Sequence, residues 1–220
     1  MSTAAGTGLE VQRRGRGGRP SRRESALLSD RILEVATALF LGDGYGATSI
    51  EAVARRAHIS KRTFYHRFPG KEALFETVVR RLIDRWMPRF EADLPAATSL
   101  AETLRRTADY MLAAALTPEA LALYRMAIAE ATRFPALARI LHDLGAAAGI
   151  DRIARHLAER VASGELKPID PRFAAEQFIM MVVTVPRRRA LGLGTALGPG
   201  ELRAWVEDTV TLFLDGCRQT

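Results

Sequence analysis

The sequence predicts an all-α protein, and three observations carry that expectation. Apolar residues recur at spacings of three and four, the period of a helix with one buried face. Thr117-Pro118 and Asp170-Pro171 each set a capping side chain before a proline suited to the first helical position. No segment alternates cleanly between apolar and polar residues, as a half-buried strand would.

Taken in order, Ile32, Ala36, Leu39 and Phe40 predict a first helix over 25–42, which Gly42, Gly44 and Gly46 end. Thr48-Ser49-Ile50-Glu51 reads as a capping box, with the Thr48 hydroxyl at the cap and a carboxylate three residues on. It opens a short helix over 49–57 with Ile50, Val53 and Ala54 inward. His58-Ile59 form a turn, and Ser60 is placed to cap a third helix over 61–67. Pro69-Gly70 break the chain before a fourth helix that begins at Lys71 and carries Leu74, Phe75, Val78, Leu82, Ile83 and Trp86. Pro88 ends or kinks that helix.

The box Ser99-x-x-Glu102 opens a helix over 99–116, and Thr117-Pro118 opens another to 133. Pro135 restarts the chain, and Gly145 and Gly149 interrupt a helical stretch that ends near Ser163-Gly164. A helix from Asp170-Pro171 to Arg189 crosses the apolar run Phe178–Val185. That run could pass for a buried strand, but its start signal and helical surroundings favour a helix. After the connection GLGTALGPG, a last helix over 200–215 carries Trp205, Val206, Val210, Phe213 and Leu214. The count is about nine helices.

Hydrophobic residues make up 48% of the 220, enough for a substantial core. No apolar run approaches the roughly 20 residues that span a bilayer, and the N-terminus lacks the apolar stretch of a signal peptide. Cys217 is the only cysteine. A soluble, cytoplasmic chain without membrane partners is the expectation. The charge is sharply localised. Arg13, Arg14, Arg16, Arg19, Arg22 and Arg23 face only Glu10 and Glu24 in residues 1–24, and seven Lys/Arg face four Asp/Glu in residues 25–71. The remaining residues balance, so the net +7 sits in the first third. A basic head on a neutral body points to one module that meets a polyanion.

Nothing in the sequence points to catalysis. His142 and His156 have no Asp/Ser partners or metal spacing, and the glycines of GRGGRP precede no strand that could make a phosphate loop. Neither a metal nor a cofactor is expected. The third helix is more telling. In Ser60-Lys61-Arg62-Thr63-Phe64-Tyr65-His66-Arg67-Phe68, the two phenylalanines share one face as core. Lys61, Arg62, Thr63, Tyr65, His66 and Arg67 occupy the others, a surface rich in donors and poor in carboxylates. Two short helices joined by a tight turn behind a longer one describe a helix-turn-helix.

Residues 29–76 closely resemble the DNA-binding domain of the TetR (tetracycline repressor) family. The resemblance runs through Phe40, Gly44-Tyr45, Thr48-Ser49-Ile50, Val53-Ala54, Ile59-Ser60, Thr63-Phe64-Tyr65-His66-x-Phe68 and Lys71-Glu72-x-Leu74. Phe64 replaces the family's usual Leu or Ile. LYRMAIAEATRFPALARIL, within 119–190, is more weakly similar to the C-terminal domain of one TetR subgroup.

The resemblance implies a basic arm (1–24), a helix-turn-helix domain (25–71) and a helical effector-binding and dimerisation domain (72–220). Lys61, Arg62 and Thr63 would lie nearest base edges in the major groove. Ser60 would either cap the helix or read a base. Tyr65, His66 and Lys71 would grip phosphates, although by themselves Tyr65 suits a half-buried core and His66 an ordinary surface. The helix start at Thr48 and Ser49 would offer backbone N–H groups to a phosphate. Arg16 and Arg19 of the arm would enter the minor groove.

A single small recognition helix makes few contacts, so a homodimer on a palindromic double-stranded DNA operator is expected. Phe178, Val182, Val185, Trp205, Thr209, Val210 and Phe213 have the spacing for its interface or for ordinary core. An apolar or amphipathic small-molecule effector is implied, with Trp86, Met87, Phe90, Tyr110, Met111, Tyr124, Met126, Phe134, Phe178 and Met181 as candidate lining. The expected function is a repressor released by that effector. The alternative is a sequence-independent architectural DNA binder without one.

Overall fold

Helix caps set most element boundaries in the structure, a computed structural model that describes residues 22–86 and 99–218. The helices are α1 (Arg22–Asp43), α2 (Ile50–Arg56), α3 (Lys61–Tyr65), α4 (Lys71–Trp86), α5 (Leu100–Ala115) and α6 (Pro118–Glu130). They continue with α7 (Pro135–Leu141), a π-helical turn (His142–Ala146), α8 (Ala147–Ala162), α9 (Pro171–Ala190) and α10 (Pro199–Cys217). Among the described residues there is no strand, only an isolated bridge between Leu166 and Arg218. No single described helix is long and apolar enough to cross a membrane.

The cap predictions hold at Ser60, Ser99, Thr117 and Asp170, whose side chains accept from backbone N–H groups two or three residues on. The cap of α2 needs correction. Ser49 occupies it in extended backbone, its hydroxyl accepting from Ala52 N–H at 3.1 Å. Thr48 instead is 2% exposed, and its hydroxyl donates back to the Gly44 carbonyl at 2.8 Å. The interrupted stretch after Pro135 resolves into two helices, α7 and α8, because a π turn containing Gly145 inserts between them. That makes ten α-helices among the described residues. The Phe178–Val185 run is helical. Phe178, Ile179, Val182 and Val183 are buried at helical spacing while Met180 and Thr184 face out.

Two hydrophobic clusters organise the chain. The first joins Ile32, Ala36, Leu39 and Phe40 of α1 to Val53, Phe64 and Phe68, and to Leu74, Phe75, Val78 and Leu82 of α4. Leu123 and Met126 of α6 and Leu137 of α7 complete it, so the head's core reaches into the body. The second cluster is built by α5, α8, α9 and α10 around Leu104, Leu157, Phe178, Val182 and Val210.

Aromatic edges lock the first cluster. Phe40 and Tyr45 each meet Phe75 edge-on at 5.2 Å between ring centroids. Phe40 is fully buried, so Phe40→Ala should cost about 3–5 kcal/mol in urea unfolding. Leu27→Ala, at an exposed site on the same helix, should change stability by less than about 0.5 kcal/mol.

Candidate nucleic-acid interface

The α2–α3 turn is tight because α2 closes on itself. Ala57 N–H donates to the Val53 carbonyl at 2.8 Å, and Ile59 N–H to the Ala54 carbonyl at 2.9 Å. His58 reverses the chain with a φ of +53°, in the left-handed region that histidine enters more readily than most side chains. Ser60 then caps α3: its hydroxyl accepts from Thr63 N–H at 3.1 Å and lies 2.8 Å from the Thr63 hydroxyl. Of the two roles open to Ser60, the cap is formed.

Phe64 and Phe68 point into the first cluster, their centroids 5.7 Å apart. With those two faces anchored, Lys61, Arg62, Tyr65 and His66 are exposed and Thr63 is half-buried. The Tyr65 ring meets Phe64 edge-on at 5.5 Å yet remains 53% exposed, so it is not core. Arg62, Thr63, Tyr65 and His66 line one side of an open groove of about 1010 Å3, with Ser25, Leu28 and Ser29 of α1 opposite.

Two basic residues are tied down by hydrogen bonds within the chain. Arg67, expected on the outer faces, reaches back to α1, where its Nη1 donates to the Ser25 and Ser29 hydroxyls at 3.1 Å each. Lys71 Nζ donates to the Tyr45 and Thr48 carbonyls at 2.9 and 3.0 Å and sits 4.4 Å above the Tyr45 ring. Burial pushes its pKa down. Thr48 and Lys71 thus brace the α1–α2 turn from inside. Arg16 and Arg19 lie outside the described residues.

Two carboxylates make contacts across the head that the sequence pattern does not show. Glu51, in the first turn of α2, forms an ion pair with Lys61. That pairing holds the Glu51 carboxyl below its usual range, with its backbone hydrogen bond adding to the effect. Glu130, at the end of α6, accepts from Gly46 N–H at 2.9 Å. A Cβ at Gly46 would stand 3.0 Å from the Glu130 carboxylate, and Gly44 nearby holds a φ of +88°. Phe134 covers this joint, its ring 5.0 Å from that of Tyr45. The capping-box pattern singled out Glu51 for a local role, whereas no local signal links Glu130 to a glycine 84 residues away.

The effector-lining candidates are spread over both clusters. Met126 lies in the first cluster and Phe134 packs against it, whereas Phe178 lies in the second with Met111 and Met181 beside it. Tyr124 faces Arg187, whose guanidinium carbon is 4.4 Å from the ring centroid, and Tyr110 is half-buried on α5. The candidate lining thus includes members of both clusters, with Tyr124 reaching from α6 to Arg187 on α9. Met87, Phe90 and the Trp86 side chain lie outside the described residues.

Of the residues with interface spacing, Phe178, Val182, Thr209, Val210 and Phe213 are buried in the chain's own core and unavailable to a partner. Their periodicity reflects α9 packing on α10, with Phe178 and Phe213 5.0 Å apart. Val185 is half-buried, and Trp205 Nε1 donates to the Val182 carbonyl at 3.0 Å.

Comparisons with known proteins agree with this architecture. Residues 32–78 match the N-terminal domain of bacterial regulatory proteins of the tetR family. Residues 102–216 match the C-terminal domain of AefR-like transcriptional repressors. The HTH-type transcriptional regulator RutR of Escherichia coli is 31% identical over 147 residues, 64% of this chain and 65% of RutR. The chain thus aligns with slightly less than two thirds of that relative's length.

Among solved structures, a TetR-family regulator from Mesorhizobium loti superposes with a TM-score of 0.74 at 29% identity, over 91% of this chain and all of that one. The flavonoid-responsive regulator FrrA gives a TM-score of 0.74 at 34% identity, over 88% of this chain and 98% of FrrA. A helix-turn-helix with an outward cationic α3, joined to a helical body that matches the family's C-terminal domain, makes the chain a member of the TetR family of transcriptional regulators.

Proposed function

We propose that this regulator is a repressor that binds a palindromic operator as a homodimer and is released by a small apolar or amphipathic molecule. The observation that carries the DNA-binding part is the two-sided α3, with Phe64 and Phe68 buried while Lys61, Arg62, Tyr65 and His66 stand outside. In this assignment Lys61, Arg62 and Thr63 meet base edges in the major groove, where Arg and Lys pair with guanine acceptors. Tyr65 and His66 fix register on phosphates. Ser49 presents the start of α2 to the backbone, and Arg16 and Arg19 follow the minor groove.

The exposed faces of α9 and α10 support the dimer. Phe173, Met180 and Thr184 share one exposed face of α9, and Leu212 is 67% exposed on α10. Large exposed apolar side chains on two packed helices mark a candidate association surface.

The joint between α6 and the α1–α2 turn supports release. Glu130, Phe134 and Lys71 all grip residues 44–48, immediately before α2. A ligand that favours a shifted α6 therefore moves the frame on which α2 and α3 are mounted. The relative FrrA responds to flavonoids, which makes flavonoids the first compounds to titrate.

Three experiments test these parts. Alanine at Lys61, Arg62 and Tyr65 together should abolish discrimination between a duplex selected from random oligonucleotides and unselected duplex, measured at fixed salt. Retained discrimination contradicts the assignment of α3. Met180→Arg combined with Leu212→Arg should give a folded monomer in sedimentation and weaken binding to the selected duplex at least tenfold. A persisting dimer places the interface elsewhere. Flavonoids titrated against the wild-type complex should release the duplex, and Glu130→Ala should blunt that release without preventing ligand binding. Full release in the variant contradicts a route through Glu130.

A further inference from the structure

The cationic surface of the head contains an acidic residue, Glu51, whose place in the first turn of α2 suits the helix dipole but whose pairing with Lys61 folding stability does not explain. Glu51 and Lys61 are each more than half exposed at the side chain, and an exposed ion pair contributes little to folding. The pair joins the first turn of α2 to the first residue of α3, so it lies across the start of the helix assigned to base contact. A carboxylate facing a polyanion opposes approach unless it does something in return. Here it takes one of the three N–H donors of the Lys61 ammonium. It thereby fixes a flexible four-carbon side chain that would otherwise sample many positions, including ones that meet any passing phosphate.

We propose that Glu51 is a specificity-determining residue. By tethering Lys61 it directs the ammonium's remaining donors toward base-edge acceptors and withholds it from indiscriminate phosphate pairing. On unselected duplex a tethered lysine releases no counterion, so nonspecific affinity stays low. On the preferred duplex the pair survives, with guanine O6 and N7 completing the ammonium's hydrogen bonds while Glu51 keeps its own. This inference rests on the operator-binding reading above.

The test uses the full-length dimer and two fluorescent duplexes, one selected by the protein from random oligonucleotides and one unselected. Glu51→Gln should fold as the wild type does, because the site is exposed. Its affinity for unselected duplex should rise severalfold. The slope of log K against log salt on that duplex should steepen by about 1.8, the value for two added phosphate contacts, one from each protomer's Lys61. Affinity for the selected duplex should stay level or fall, so the selected-to-unselected ratio drops about tenfold. In a Lys61→Met background the same Glu51 substitution should no longer alter the slope. An unchanged ratio and slope in Glu51→Gln overturn the inference, as does an equal loss on both duplexes. A slope change that persists without Lys61 also overturns it, since the carboxylate then acts on phosphates directly. Wild-type protein that shows no preference for its selected duplex overturns the operator-binding reading, and this inference with it.

Discussion

The head depends on the burial of two phenylalanines one helical turn apart. Phe64 and Phe68 enter the core formed by α1 and α4, and each exposes less than a tenth of its surface. A helix as short as α3 has no independent stability, because its nucleation cost exceeds what so few backbone bonds return. Packing holds it in place, and packing also decides which side faces out. Once Phe64 and Phe68 are fixed, the helical period sends Lys61, Arg62, Tyr65 and His66 toward solvent. The function follows from that geometric necessity more than from the basic residues taken singly.

A second constraint acts on the turn before α2. Residues 44–48 carry no core side chain except Tyr45 and Thr48, yet their backbone is held from two directions. Lys71 takes two carbonyls from the α4 side, and Glu130 takes an N–H from the α6 side. Half-buried Lys71 is stabilised by those carbonyls, by the Tyr45 ring and by the nearby Glu130 carboxylate. The head is therefore continuous with the body. Its hydrophobic cluster includes Leu123, Met126 and Leu137, and its polar joint ends on Glu130. The proposed route from α6 to the α3 surface runs through this joint.

Local signals made most of the fold legible in the sequence. Cap side chains, prolines at first helical positions and apolar periodicity are properties of neighbouring residues, and they located the starts of α3, α5, α6 and α9. Where two hydroxyls adjoined, as at Thr48 and Ser49, the pattern could not say which would cap. Burial of Thr48 decided it. Periodicity also says that a side chain is buried without saying by what. Val182, Val210 and Phe213 were equally consistent with a partner's surface and with their own chain, and intrachain packing claimed them.

The least legible features were polar contacts between distant segments. Arg67 meets serines 38 and 42 residues away, and Glu130 meets Gly46. The Glu51–Lys61 pair is illegible for another reason: in Thr48-Ser49-Ile50-Glu51 the glutamate already has a local capping role, which masks a partner ten residues on. The central claim is that α3 presents its cationic side to paired bases twice per assembly. Methylation interference on the selected duplex tests it most directly. N7-methylated guanines should block binding at two symmetric positions separated by one or more helical turns. Interference from modified phosphates alone, with methylated guanines tolerated throughout, would contradict it.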